Sequence, residues 1–118
     1  MIRRVPKPWG EEIIFAHTDR YAGKVLKIRR GESLSLQYHE RKDETLYVHD
    51  GSLKLVREEG GRERDEVLGP GQARRFPPGA RHRMEALTDC TLFEVSTPEL
   101  DDVVRLKDRY GRVRADSS

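Results

Sequence analysis

The chain has 118 residues and a mass of 13.7 kDa, which suits one hydrophobic core and a single domain spanning residues 1–118. Charged residues make up 37% of it, yet the formal net charge is only +2, which argues against the one-sided basic surface that nucleic-acid binding requires. No apolar run approaches the ~20 residues that cross a bilayer, and the first residues lack the apolar segment of a signal peptide, so we expect a cytoplasmic protein without a membrane partner.

Segments in which apolar and polar residues alternate run through most of the chain, and this period of two predicts β-strands. In chain order, the predicted strands are 25–29, 33–37, 45–48, 53–56 and 91–95. Turn residues separate them, with Asp50-Gly51 as the strongest hairpin signal and further reversals at 60–61, 69–71 and 77–79. Many short strands at close, regular spacing predict an all-β fold, either a sandwich or an antiparallel β-barrel.

The segment from Pro98 to Tyr110 is the one place where the sequence leaves the type of structure open. Thr97 could cap a helix, and Pro98 suits a first helical position. The same segment could equally be extended.

Three polar side chains are predicted to face the interior of this fold. On one strand, Gln37 and His39 share a face and lie about 6.6–7 Å apart. Glu44 begins the next strand and shares a face with Leu46 and Val48, which suit a barrel interior. A carboxylate buried alone is strongly destabilising or has a raised pKa, so we expect a partner, and a bound cation is the natural one.

A second cluster completes a candidate metal site. The Pro-Pro-Gly turn at 77–79 places His82 at the start of a strand, and Cys90, as the only cysteine, excludes a thiolate cage. The predicted ligands are Gln37, His39, Glu44 and His82. Two imidazoles with two side-chain oxygens suit one divalent ion of Zn, Mn, Fe, Ni or Co. Such a site keeps a net positive charge, and an octahedral ion in it has open positions for a chelating oxyanion.

The two clusters are framed by glycines, and together they resemble the two sequence motifs of the cupins. The frames read Gly31-(x5)-Gln37-x-His39-(x4)-Glu44-(x6)-Gly51 and Gly71-(x5)-Pro77-Pro78-Gly79-Ala80-Arg81-His82. In detail, the chain resembles cupins of the phosphomannose isomerase type, including the C-terminal domain of bifunctional mannose-1-phosphate guanylyltransferases. The segments that carry this resemblance are 8–10 (Pro-Trp-Gly), 34–39, 77–83, 100–106 and 109–112 (Arg-Tyr-Gly-Arg).

The resemblance implies a small antiparallel β-barrel of the double-stranded β-helix (jelly-roll) type. It also implies metal-dependent aldose–ketose isomerisation of a sugar phosphate, with the four predicted ligands carried over. The chain departs from the family at 40–43, where further histidines and an arginine are common. It departs again at Leu46, since an aromatic residue often follows the ligand glutamate.

Isomerisation moves a proton between C1 and C2 of the sugar through an enediolate, which requires a general acid/base. Lys24 shares a strand face with Leu26 and Ile28, so it is interior if they are. A lysine near a metal has a lowered pKa and could shuttle this proton; the alternative is a rim lysine that extends into solvent. Arginines at the barrel mouth would bind the phosphate, and the candidates are Arg81, Arg74 and Arg29.

Two other functions stay open at this point. One is a metal cupin with oxygenase chemistry, although iron in such sites prefers all-histidine or two-histidine-one-carboxylate ligands, and Gln37 disfavours it. The other is a binding module that senses a sugar or another metabolite without turnover.

The N-terminal segment carries more apolar residues than one barrel needs, which indicates a homodimer interface. These residues are Ile2, Val5, Trp9, Ile13, Ile14 and Phe15. The alternative is that the segment closes its own barrel.

Overall fold

The structure is a computed structural model that describes residues 2–111, and within this range it contains eleven β-strands and no helix. The strands are β1 (Arg3–Lys7), β2 (Gly10–His17), β3 (Ala22–Ile28), β4 (Leu36–Tyr38), β5 (Glu44–Asp50), β6 (Leu53–Glu59), β7 (Arg62–Leu68), β8 (Ala73–Phe76), β9 (Arg81–Ala86), β10 (Cys90–Ser96) and β11 (Val104–Lys107). The predicted all-β fold is confirmed. Arg112, the last residue of the closing motif, lies outside the described residues.

The strands form two antiparallel sheets. The six-stranded sheet has the order β1-β2-β3-β10-β5-β8, and the five-stranded sheet has the order β11-β4-β9-β6-β7. Strands that are distant in the chain therefore pair, as β3 does with β10, and this is the arrangement of a jelly-roll barrel. Over residues 2–111 there is no helix long and apolar enough to span a membrane.

The segment after Pro98, whose structure the sequence left open, is extended in its second half. Strand β11 pairs antiparallel with β4, and Arg105 lies opposite Gln37. Pairing with a neighbouring strand, rather than local propensity, therefore decides the conformation here.

The barrel interior is apolar at one end and polar at the other. At the apolar end, Leu26, Leu92 and Val48 lie side by side on β3, β10 and β5, and all three are buried. Two residues further along β3 and β10, Lys24 and Glu94 occupy the equivalent inward positions and are buried as well. Because alternate residues of a strand share a face, the same strands that build the core also place the charged groups.

Gly51 closes the predicted hairpin between β5 and β6. Its backbone has φ of 97°, a left-handed conformation that side chains other than glycine adopt at a cost. A Cβ atom at this position would lie 2.4 Å from the carbonyl oxygen of Asp89. The hairpin therefore requires glycine both for its backbone angle and for its close approach to the neighbouring turn.

Candidate metal centre

Three strands bring the predicted ligands to the polar end of the barrel. Glu44 is the first residue of β5, and His82 is the second residue of β9. Gln37, on β4, lies directly opposite His82 across the β4–β9 pair, and His39 follows two residues later. Residues that are opposite each other in an antiparallel pair share a face, so Gln37 and His82 point to the same side of the sheet.

His39, Glu44 and His82 converge in the interior. Their potential ligand atoms lie within 4.8 Å of one another, and all three side chains are buried. Nε2 of His39 lies 2.8 Å from Oε1 of Glu44, and Nε2 of His82 lies 3.2 Å from the same oxygen. The three side chains could therefore hold one metal ion.

The second nitrogen of each histidine shows which atoms are available to a metal. Nδ1 of His39 donates to the carbonyl oxygen of Asp102 (2.5 Å), and Nδ1 of His82 donates to that of Ala80 (3.0 Å). With Nδ1 protonated, each neutral ring turns the lone pair of Nε2 towards the Glu44 carboxylate. Metal-binding histidines are typically oriented in this way, with the other ring nitrogen bound to a carbonyl or carboxylate.

The environment of Nε2 of His82 supports a cation at this place. Among the described residues, this buried nitrogen has no hydrogen-bond partner, although it is 3.2 Å from Glu44. If both histidines are neutral, the lone pairs of their Nε2 atoms face the Glu44 carboxylate, and no proton lies between His82 and Glu44. Three electron-pair donors that face one another in this way are unfavourable in a buried site. A divalent cation satisfies all three donors, so the residues fit a metal.

Gln37 lies beside this group, but it makes another contact. Its Oε1 accepts a hydrogen bond from Oγ of Ser35 (2.8 Å), and its side chain lines the same cavity as His39. Its role as a fourth ligand stays a prediction.

A buried lysine and two carboxylates surround the site. Nζ of Lys42 lies 3.4 Å from Glu44 and 3.3 Å from Glu94. Burial opposes ionisation of Glu44, but the neighbouring Lys42 ammonium holds the pKa of this carboxyl well below its usual range. Burial and the nearby Glu44 carboxylate raise the pKa of Glu94. Burial alone would lower the pKa of Lys42, but the two carboxylates raise it.

Lys42 and Glu94 are functional candidates that the sequence reasoning did not identify. Glu94 shares the inward face of β10 with Leu92, but the strand pattern alone does not show which face is inward. Phe93 and Val95, on the other face of the strand, are apolar as well but point outwards.

Lys24 is interior, as its strand face predicts, and only 3% of it is exposed, which excludes the rim position. Its Nζ lies 2.5 Å from Oε1 of Glu12, and Lys7 lies 3.7 Å from the other oxygen of that carboxylate. Burial opposes ionisation of Glu12, but Lys24 lowers its pKa. Lys24 is also the cross-strand neighbour of Glu94, and both line the same cavity as Gln37 and His39.

None of the three arginines predicted to bind phosphate lines this cavity, and their role in phosphate binding stays a prediction. Arg81 points outwards because it alternates with the inward His82, and it pairs with Glu58 (3.6 Å). Arg29 is exposed and donates to the carbonyl oxygen of Pro8. Arg74 is held by two hydrogen bonds to Glu66, which join the edge strands β8 and β7 of the two sheets.

The arginine that does line the cavity is Arg105 on β11, which is 5% exposed. It lies opposite Gln37 in the β11–β4 pair. No sequence pattern identifies it, because the segment that carries β11 had no predicted strand and therefore no predicted face. The other polar residues that line the cavity are Lys7, Glu12, Lys24, Ser35, Gln37, His39, Lys42 and Glu94.

Comparison with known proteins gives consistent matches. Residues 24–96 match the cupin domain family. The chain is 36% identical over 116 residues to mannose-1-phosphate guanylyltransferase of Escherichia coli K12, and 32% identical over 117 residues to the xanthan biosynthesis protein XanB of Xanthomonas campestris. These matches cover 94% and 93% of the chain but only 23% and 24% of the relatives, so the chain spans about a quarter of their length.

Solved structures with the same fold include KdgF from Halomonas sp., with a TM-score of 0.70 and 29% identity over 83% of this chain and 86% of that one. Oxalate decarboxylase from Bacillus subtilis aligns with a TM-score of 0.77 and 18% identity over 89% of this chain and 30% of that one. The second similarity shows the fold alone. Together with the relatives, these matches confirm the resemblance on which the sequence interpretation depends.

Proposed function

The chain belongs to the cupin domain family, and from this membership and the geometry of its interior we propose that it is a metal-dependent sugar-phosphate isomerase. The observation that carries the proposal is the buried group of His39, Glu44 and His82, whose donor atoms face one another beside a cavity lined by lysines and carboxylates. The relatives act on or are named for sugar-linked chemistry, which favours a sugar phosphate as the substrate class.

In this proposal, His39, Glu44, His82 and Gln37 hold one divalent ion. When bound, such an ion supplies Lewis-acid polarisation of the substrate's carbonyl and hydroxyl oxygens. The carbonyl groups of Asp102 and Ala80 keep the two imidazoles in the orientation that this requires.

Lys24 is our candidate for moving the proton between C1 and C2. It lies in the cavity, and its ammonium is held by Glu12, so its position is fixed before substrate binds. Lys42 is placed differently, between Glu44 and Glu94, and supplies a fixed positive charge next to the ligand carboxylate.

Arg105 replaces the three surface arginines as the candidate for binding the phosphate group. It is the arginine that lines the cavity among the described residues, and a guanidinium matches the geometry of phosphate oxygens. Arg105 lies directly opposite Gln37 in the β11–β4 pair, and Gln37 is one of the proposed metal ligands.

A direct test is an NMR assay of the metal-loaded protein with mannose 6-phosphate and fructose 6-phosphate in D₂O. We expect interconversion with exchange of the C2 proton. Absence of exchange at C2 for every hexose and pentose phosphate tested would contradict the isomerase proposal.

The same assay distinguishes the second candidate function, a sugar- or metabolite-binding module without turnover. The observation in its favour is that Lys24 and Lys42 are each already paired with carboxylates, as in a preformed binding cavity. Binding of a sugar phosphate by calorimetry without proton exchange would support the module.

We also propose a homodimer, but through a different surface from the one that the sequence predicts. Trp9, Ile13 and Ile14 are buried in their own barrel, so this part of the N-terminal segment closes its own barrel. Of that segment, Ile2 and Phe15 are the large hydrophobic residues that remain strongly exposed.

The proposed interface is the outer apolar face of the six-stranded sheet, formed by Phe15, Tyr47, Phe93 and Val95, which are 36–57% exposed. Phe93 lies opposite Tyr47, and their rings are parallel with centroids 6.1 Å apart. A whole aromatic side chain has a surface of about 150–250 Å², so the exposed fractions of these four side chains amount to roughly 300–400 Å² of accessible surface. A standard interface buries about 800 Å² per partner around an apolar centre, so this face suits the centre of a two-fold dimer.

A further inference from the structure

Asp102 makes four hydrogen bonds with the segment that connects β4 to β5. Its carboxylate accepts from three consecutive backbone N–H groups, those of Glu40 (3.0 Å), Arg41 (2.7 Å) and Lys42 (2.8 Å). Its backbone carbonyl oxygen accepts from Nδ1 of His39 (2.5 Å). One residue therefore contacts four successive positions of the chain.

The connection that Asp102 holds carries two members of the site. His39 is at its start, Lys42 lies near its end, and Glu44 follows as the first residue of β5. A short connection without strand pairing leaves its backbone N–H groups without partners unless another group binds them. Asp102, which comes from the far end of the chain, provides these partners. Hydrogen bonds from backbone N–H groups also favour its ionised form, and its pKa is lowered although burial opposes this.

Both kinds of contact act on the proposed metal ligands. The carbonyl oxygen fixes His39 with Nδ1 protonated and Nε2 directed at Glu44. The carboxylate fixes the backbone from which Lys42 reaches Glu44 and Glu94. Losing the carboxylate contacts releases residues 40–42 and, with them, the position of the carbonyl group that orients His39.

We infer that Asp102 is the positioning residue of the metal centre, which it preorganises by holding the β4–β5 connection and the His39 tautomer. The inference rests on the proposed function, in which His39 is a metal ligand. Groups that orient metal ligands in this way typically account for 10–100-fold in metal affinity. A role in loop stability alone would change the melting temperature but not the affinity of the folded protein for metal.

The test measures Zn²⁺ affinity by competition with a chromophoric chelator for wild type, Asp102→Ala and Asp102→Asn. We expect Asp102→Ala to bind Zn²⁺ about 10–100-fold more weakly. Asp102→Asn should lose less, because one amide oxygen can still accept two of the three N–H groups. The matched control is Asp101→Ala, which removes the same charge from an exposed neighbour and should bind within about twofold of wild type.

A second readout uses the metal-free protein. Imidazole ¹⁵N shifts should show His39 with Nδ1 protonated in wild type and in Asp101→Ala, and a mixture of tautomers in Asp102→Ala. The backbone amides of residues 40–42 should exchange faster with solvent in the same variant. If Asp102→Ala does not fold, Asp102→Asn is compared with wild type in the same measurements.

Two results separate the failure of this inference from that of the proposed function. Wild type that binds no Zn²⁺ contradicts the metal centre. The His39 shifts and the amide exchange of the metal-free protein then still test whether Asp102 orients His39 and holds the connection. Wild type that binds Zn²⁺ while Asp102→Ala binds it within twofold, with unchanged His39 shifts, overturns the role of Asp102.

Discussion

Individual side chains of the site are positioned by hydrogen bonds that join distant parts of the chain. His39 depends on Asp102, and Lys24 depends on Glu12 on the neighbouring β2. Removing one partner of such a buried pair is strongly destabilising, because the remaining charged or polar group stays buried without a hydrogen bond or an opposite charge. These contacts therefore hold the side chains of the candidate site in place.

Lys24 provides the residue-scale prediction, and Lys24→Arg is its sharpest variant. Arginine keeps a positive charge opposite Glu12 but does not release a proton near neutral pH. We expect kcat to fall by about 10²–10⁴-fold with the metal content unchanged. Lys24→Ala should lose activity as well, but it also breaks the buried ion pair and lowers stability.

The matched control is Lys27→Arg, on the same strand but exposed to solvent, which should leave kcat unchanged. A steady-state assay of the three variants checks this. Lys24→Arg with wild-type kcat would show that another group moves the proton.

At this scale, the sequence predicted the interior histidines and Glu44 correctly because each lies at a fixed strand position next to a turn or an apolar partner. It did not settle which way the arginines point, because a long side chain beside a turn gives no sign of its direction. Arg81 follows the turn at 77–79 and still points away from His82.

At the scale of elements, the alternation of each strand decides which residues meet. In β10, Leu92 and Glu94 face the interior while Phe93 and Val95 face outwards. The sequence of β10 alone favours neither face, since both carry apolar residues. Pairing with β3 and β5 decides it, because Leu92 lies beside Leu26 and Val48.

The β5–β6 hairpin gives the element-scale prediction. Gly51→Ala should lower the free energy of unfolding by about 2–4 kcal/mol, because left-handed backbone strain adds to the clash with Asp89. Denaturant unfolding followed by circular dichroism measures the change.

Gly60→Ala is the matched control, because it introduces the left-handed backbone strain without a clash. Gly60 has φ of 57°, and a Cβ there would meet nothing within 4 Å. We expect a loss of about 1 kcal/mol from backbone strain alone. Equal losses for the two variants would mean that the close approach to Asp89 does not contribute.

At the scale of the whole molecule, the inner and outer faces of the sheets carry different kinds of residues. The inner faces hold the core and the candidate metal centre, while the outer face of the six-stranded sheet carries Phe15, Tyr47, Phe93 and Val95. The sequence predicted the barrel and an apolar surface. It placed that surface on the N-terminal segment because it could not show that Trp9 enters the core.

The dimer proposal predicts that Val95→Glu separates the chains, because a charge at the centre of an apolar interface is costly to bury. Light scattering at micromolar concentration should give twice 13.7 kDa for wild type and 13.7 kDa for the variant. Val67→Glu is the control, since Val67 is similarly exposed on the five-stranded sheet and should leave the dimer intact. Wild type with a mass of 13.7 kDa would contradict the dimer.

The central claim is that His39, Glu44 and His82 hold a divalent metal, and elemental analysis of the purified protein tests it most directly. We expect about one ion per chain in wild type and in the exposed control His49→Ala. His39→Ala and His82→Ala should have lost the ion and melt at a lower temperature, since a ligand that binds only the folded state stabilises it. Metal content in both variants equal to that of wild type would contradict the assignment.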